Sequence, residues 1–209
     1  MKLYDYELSG SCYKVRLLLS MLGLPYEKVA IDYYPGREHR RPAFLQINPL
    51  GQLPALKDGD LVLRDAQAIL LYVAAQYDSS NQWFPKDPAT QGRIAMWLAF
   101  AGGELMALSA ARLHEMLMGY EHIDIAQAQR DGHRALQLID EHLAEAEMTG
   151  QLWMAAAHPT IADIACFPYA ALSHDGGVER SAYHHVNRWL RRFKQLPGFI
   201  VMPGVPAYG

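Results

Sequence analysis

The chain is poor in cysteine: Cys12 and Cys166 are the two in 209 residues. Two thiols cannot build a disulfide framework, so nothing covalent is expected to staple the fold, and the count fits a reducing compartment, the cytoplasm. A large charge imbalance is also missing. A formal net charge of -3 carries no general electrostatic footprint for nucleic acid. The small basic clusters Lys14–Arg16 and Arg37–Arg41 read as anion contacts or solvated faces. Long apolar runs are scarce too. Leu17–Leu24 is too short to span a membrane and Ala95–Ala111 is broken by Glu104, so no membrane partner is expected. The opening MKLYDYEL lacks the apolar core of a secretory leader. The nine histidines show no HExxH or related spacing, so no metal site is expected. There is no internal repeat and no low-complexity tract.

What is present is a core-forming composition. Apolar residues make up 51% and charged residues 20%, as in globular proteins, and the length suits one or two domains. Lys2–Tyr6 reads as a strand, Leu8–Ser11 as a turn, and a helix follows from Cys12 with Val15, Leu18, Leu19 and Leu22 at helical spacing. Ser9 and Ser11 are candidate caps for it. Gly23 and Pro25 close it, and Tyr26–Ile31 is a second strand. Such a strand–helix–strand unit makes the two strands parallel. Asp32–Arg41 is loop and Pro42–Asn48 a short helix. Ala55–Leu63 holds two strands around Asp58-Gly59, a hairpin signal, and a helix runs from Ala66 to about Gln76.

Ser79–Asp87 is a polar linker, and strand patterns vanish beyond it. Ala89–Leu117 reads as one long helical segment, with Gly102-Gly103 as a place to bend. Ile125–Met148 and Ser181–Lys194 are further helices, and Pro197–Gly209 is an irregular tail. Between them, Thr160 and Asp163 have the spacing of a capping box. The helix they open is apolar nearly all round, which predicts a buried, central position. Asp163 therefore reads as structural, and Cys166 in that helix as inert core.

The most informative stretch is Asn48–Ile69. Pro54 stands inside a strand-like segment, although proline cannot donate to a sheet ladder. That points to an edge, a bulge or a cis bond. With Leu53–Pro54 cis, the Leu53 N–H and C=O would turn outward, where an extended peptide could pair with them. The helix start at Asp65-Ala66 offers free N–H groups to an anion, and Asp65 offers a partner for an ammonium.

Four motifs now stand in order: Ser9-Gly10-Ser11-Cys12, Asn48-Pro49-Leu50-Gly51-Gln52-Leu53-Pro54-Ala55-Leu56, Asp65-Ala66-Gln67-Ala68-Ile69 and Pro159-Thr160-Ile161-Ala162-Asp163. Together the chain resembles the cytosolic glutathione transferase family along its whole length. The resemblance implies an α/β N-terminal thioredoxin-like domain (1–78) plus an all-α C-terminal domain (88–209). It implies glutathione as co-substrate, no metal, a homodimer, and conjugation of the glutathione thiolate to a small electrophile. By similarity, Leu53 beside cis Pro54 pairs with the cysteinyl backbone, and Asp65 meets the γ-glutamyl ammonium. Gln52 and His39 approach the glycyl carboxylate. Ala66 departs from the family, which usually has a serine whose hydroxyl holds the γ-glutamyl carboxylate. Ser9 aligns with the thiol-activating serine of some classes; Ser11 is a second candidate. Cys12 matches a cysteine that forms a mixed disulfide with glutathione in others. Trp97, Phe100, Met106, Leu113, His114 and the tail are expected to line the electrophile pocket. Two alternatives remain: a glutathione-dependent disulfide reductase or peroxidase, and a non-catalytic binding protein.

Overall fold

A computed structural model describes residues 1–116 and 122–207. Strand β1 (Lys2–Asp5) lies inside a four-stranded sheet of order β2-β1-β3-β4. It pairs parallel with β2 (Glu27–Ala30) and antiparallel with β3 (Ala55–Asp58), which pairs antiparallel with β4 (Leu61–Leu63). Parallel neighbours need a crossover, and helix α1 (Gly10–Met21) supplies it. The helix starts two residues ahead of Cys12 because the Cys12 N–H donates to Ser9 Oγ at 3.2 Å, which makes Ser9 the N-cap.

The basic cluster on α1 is a correction to the sequence reading. Lys14 is fully buried and Arg16 is nearly so. Arg16 ion-pairs with the buried Asp5 on β1. The helix is sandwiched between the sheet and the second half of the chain, so no face of it is left for solvated cations. Removing one partner of such a pair strands the other charge, at a cost of about 3–5 kcal/mol.

A 3-10 turn (Glu38–Arg40) and the short helix α2 (Pro42–Leu45) follow β2. The Leu53–Pro54 bond is cis, and so is Tyr34–Pro35 in the preceding loop. Helix α3 (Ala66–Tyr77) completes the first unit, with Asp65 as its N-cap through an Ala68 N–H bond of 2.9 Å.

The rest is helical. The helical segment expected over Ala89–Leu117 consists of two helices, α4 (Pro88–Gly102) and α5 (Met106–Met116), and the bend falls at the expected Gly102-Gly103. Gly103 leaves the helical region with φ -110° and ψ -93°, so the chain turns before α5. By length and composition alone Pro88–Met116 is apolar enough to cross a membrane, yet the turn divides it into two packed helices. Leu117 and the last two residues of the expected tail lie outside the described residues. Helix α6 (Ile125–Met148) follows, then α7 (Ile161–Ala171) and α8 (His184–Phe193). The architecture is a thioredoxin-like N-terminal unit joined to an all-α C-terminal unit.

Helix α7 is buried at every position and packs against α1, α3, α4, α5 and α8. Its capping box is complete: Thr160 N–H donates to Asp163 at 2.9 Å, and Ala162 N–H donates to Thr160 Oγ1 at 3.2 Å. Asp163 also accepts from Met154 N–H and Trp189 Nε1–H, both at 3.0 Å. Burial pushes its carboxyl up to about 6 against the pull of these donors. Helix α8 begins at His184, later than the expected Ser181. Two N–H groups of its first turn, on His185 and Val186, are both capped by Asp140 of α6, at 2.7 and 2.8 Å.

The two carboxylate caps predict unequal losses. Asp163→Ala leaves three buried N–H donors unpaired and should cost about 3 kcal/mol or more. Asp140→Ala removes a partly exposed cap and should cost about 1 kcal/mol. Urea unfolding midpoints of the two variants check this; equal shifts would contradict the central role of α7.

Candidate functional site

A cleft of about 400 Å³ opens between the two halves, a volume suited to a small-molecule ligand. Its floor is the turn from β1 to α1, with Tyr6, Leu8, Ser9 and Ser11 in the lining. The carbonyls of this turn are held by arginines. Arg16 donates to Tyr6 O at 3.4 Å and to Glu7 O at 3.0 Å. Arg112 of α5 reaches across to donate to Leu8 O, and its Nε donates to Asp175 at 2.8 Å. The backbone that presents Ser9 is thus fixed from both halves. Capping uses a lone pair of the Ser9 hydroxyl, so its proton stays available to a ligand.

One wall is the loop before β3. Asn48 is fully buried and organises it, donating to Gln52 O at 2.7 Å and accepting from Leu50 N–H at 3.1 Å. Gly51 has φ +60°, and a Cβ there would meet His39 O at 2.8 Å, so this position requires glycine. Gln52 and Leu53 line the cleft. The Leu53 main chain takes part in none of the turn, loop or cap hydrogen bonds among the described residues. Beside it the start of α3 contributes Arg64, Asp65, Ala66 and Gln67. The opposite wall is one stripe of α5, Met106, Ser109, Arg112, Leu113 and Met116, plus Tyr169 of α7. Arg40 and Arg64 line the cleft with a single acid, Asp65, while Arg112 is already paired with Asp175, so the cleft favours an anionic ligand with one cationic group.

Ser9, Ser11, Gln52, Leu53, Asp65, Ala66, Met106 and Leu113 are brought together as expected positions in one cleft. Others are not. Cys12 is fully buried beneath the floor, where its sulfur accepts from Tyr6 N–H at 3.4 Å. Burial, with the nearby Asp5 carboxylate, pushes its thiol up to about 12, so it is neither exposed nor ionised for exchange. His39 is 3% exposed and stacks on Tyr33, ring centroids 4.0 Å apart. Tyr33, not His39, reaches the cleft, and burial with Arg40 and Arg37 lowers the His39 pKa. Pro54 lies buried behind Leu53.

Trp97 and Phe100 pack edge to face, centroids 5.3 Å apart, and Trp97 also meets His142 of α6. Phe100 lines a separate hollow against α6. His114 pairs with Glu115 at 3.3 Å and is not in the lining. One residue of helix is a rotation of about 100°, which separates His114 from Leu113. The described tail residues also stay out; Ile200 O instead accepts from Tyr13 on the back of α1.

Arg112, Ser109 and Tyr169 were not legible as site residues. The helical spacing of Met106, Ser109, Arg112 and Leu113 was the available signal. A tyrosine in an otherwise apolar helix was another, because a buried phenol needs a partner.

Residues 3–81 match the family described as glutathione S-transferase, N-terminal domain. The chain is 30% identical over 194 residues to the maleylacetoacetate isomerase of Pseudomonas aeruginosa, spanning 90% of this chain and 88% of that protein. It is 30% identical over 187 residues to glutathione S-transferase 2 of Anopheles gambiae, spanning 88% and 86%. Its structure is similar to that of Ure2p in complex with glutathione, with a TM-score of 0.83 and 26% identity over 94% of this chain and 95% of that one.

Arg112 makes the turn before Ser9 depend on the helical half. Arg112→Ala should free the Leu8 carbonyl and cost about 1.5–3 kcal/mol. Hydrogen exchange should rise at Ser9, whose N–H donates to Tyr6 O at 3.0 Å. Unchanged exchange there would show that Arg16 alone suffices.

Proposed function

The chain belongs to the glutathione S-transferase family, and we propose that it binds glutathione in this cleft and transfers the thiolate to a small electrophile. Residues 1–78 take the tripeptide and residues 88–209 supply the electrophile side. The observation that carries this reading is the convergence, in one cleft, of the Ser9 hydroxyl, the Leu53 main chain, Asp65 and the arginines Arg40 and Arg64. Glutathione has two carboxylates, one ammonium and one thiol, and these groups complement it.

The Leu53 N–H and C=O pair with the cysteinyl unit as an added strand. Asp65 receives the γ-glutamyl ammonium. The Ala66 and Gln67 N–H groups at the start of α3 take the neighbouring carboxylate. Gln52 and Arg40 serve the glycyl carboxylate, in place of the buried His39. Ser9 donates to the sulfur. A free thiol has a pKa of about 8.5, and lowering it by two units takes about 2.7 kcal/mol of preference for the thiolate. A fixed hydroxyl at a helix N-terminus, with arginines nearby, supplies a preference of that kind. The thiolate then attacks the electrophile held against α5.

The two cysteines are free and buried, which supports a cytoplasmic setting. The exposed apolar side chains Leu61, Val62, Leu71 and Met96, on β4, α3 and α4, support a homodimer. Ala66 favours a second reading, a binding protein without turnover, since the helix start keeps its N–H groups but has no hydroxyl there.

Two outcomes are expected. Calorimetry at millimolar glutathione should register binding, and Ser9→Ala should remove most of the thiolate absorbance at neutral pH and lower turnover about 25-fold there, the change in thiolate fraction when a pKa rises from about 6.5 to about 8.5. No heat of binding would sink the reading. Ala66→Ser should tighten glutathione about 2- to 10-fold, the worth of one hydrogen bond; no change would show that the N–H groups already satisfy the carboxylate.

A further inference from the structure

Arg112 holds the Leu8 carbonyl, which belongs to the same peptide group as the Ser9 N–H. Its guanidinium has five N–H donors. Among the described residues they find two acceptors, Leu8 O through Nη1 and Asp175 through Nε at 2.8 Å, while Nη2 is buried and finds none. Asp175 is therefore half of what fixes Arg112. It sits in the 3-10 turn Ser173–Gly176, which follows α7 and packs against α5. Gly204 of the tail covers the carboxylate so closely that a Cβ there would meet it at 2.9 Å. The second Asp175 oxygen lies 3.1 Å from Nε2 of His174, which is exposed. The other ring nitrogen, Nδ1, lies 3.1 Å from Arg180 Nη1. A guanidinium can only donate, so Nδ1 accepts and the ring is neutral, with its proton on Nε2 and directed at Asp175. Arg180 is anchored by the Ala170 and Ala171 carbonyls at the end of α7. A line of contacts thus runs from the surface at His174, through Asp175 and Arg112, to the turn that presents Ser9.

We infer that His174 and Asp175 are positioning residues for Ser9, and that the relay holds only with a neutral imidazole. The inference rests on the reading of Ser9 as the thiolate donor and adds what sets its direction. A proton taken from solvent at Nδ1 sets an N–H and a positive charge against the Arg180 guanidinium at 3.1 Å. Arg180 is tied to α7, so the exposed ring yields. The imidazole is rigid, and Nδ1 cannot leave Arg180 without Nε2 leaving its place at Asp175. As the charged ring swings out, its attraction for the Asp175 carboxylate pulls away from Arg112. The further charged groups beside Arg180 are Glu179 and Lys194, and their opposite signs offset. Arg112 then loses the bond that aims it, and the Leu8 carbonyl loses a charge-assisted donor. The Leu8–Ser9 peptide is freed, and the Ser9 hydroxyl with it.

Hydrogen exchange at the Ser9 N–H and the thiolate absorbance of bound glutathione test this with two variants. His174→Gln keeps an acceptor for Arg180 and an N–H for Asp175 but cannot titrate. His174→Leu keeps neither. The wild-type protection factor at Ser9 should fall about 3- to 10-fold from about pH 7.5 to about pH 5.5, the range in which histidines ordinarily change charge. In His174→Gln it should fall less than about 2-fold. The Asp163 carboxyl, pushed up to about 6, is present in both proteins, so their difference isolates His174. At about pH 7.5, His174→Leu should show the exchange of the acid wild type and move the thiolate midpoint up by about half a pH unit, a 3-fold change in the thiol equilibrium. Equal pH profiles of wild type and His174→Gln, or a His174→Leu that matches the wild type at about pH 7.5, would overturn the inference. If His174→Leu does not fold, the comparison of wild type with His174→Gln decides alone. A wild type that leaves the thiol of bound glutathione at its ordinary midpoint would overturn the thiolate reading of Ser9, whereas the relay stands or falls on Ser9 exchange in the free protein.

Discussion

Three consecutive carbonyls, on Tyr6, Glu7 and Leu8, are held by two arginines, and the cleft depends on that restraint. Arg16 comes from the helix the turn leads into, and Arg112 comes from the other half of the molecule. A short turn has few hydrogen bonds of its own: Tyr6 O accepts from Ser9 N–H, and the Glu7 and Leu8 carbonyls would otherwise be left to water. Charge-assisted donors fix it more firmly than neutral ones. Because Arg16 also neutralises the buried Asp5, weakening it would strand a charge worth about 3–5 kcal/mol. Against a total stability of about 5–15 kcal/mol, this turn is tied to the folding of the whole first unit.

Helix α7 is the second support. It touches helices of both halves, and its own start is closed by Asp163, which binds donors from the preceding loop and from α8. The helix therefore delivers Tyr169 to the seam as a rigid element. Ser11 meets it from α1, so the same contact that joins the two units also sits in the lining of the cleft. Placing polar groups on such packed elements, rather than on loops, keeps them aimed without reorganisation when a ligand arrives.

The cleft divides into two chemically different walls. The first unit contributes exposed backbone at Leu53, the acid Asp65 and a capped hydroxyl at Ser9. The helical unit contributes methionines, Leu113 and hydroxyls. Cys12 and His39 show how residue type alone misleads. Each sits one layer below the surface it was expected to form. The thiol is raised by burial and the imidazole is covered by Tyr33. Neither can serve a ligand from there without moving a packed core, which has little room to give.

The features that the sequence determined by itself are those written within three or four residues. Ser9 caps Cys12, Asp65 caps Ala68, and Thr160 with Asp163 closes α7. Pro54 in a strand-like run was legible for the same reason, since its conformation is decided by its own ring and its neighbour. The tertiary structure alone decided everything that spans the chain. Asp140 sets the start of α8 from 45 positions away, Arg112 holds Leu8 from 104, and Tyr169 finds Ser11 from 158. It also decided which face of α5 lines the cleft and that Lys14 and Arg16 point inward. A local hydrogen bond depends on backbone geometry that a few side chains specify. A long-range one exists only after helices have packed, and the packing is set by the whole core rather than by the residues that meet.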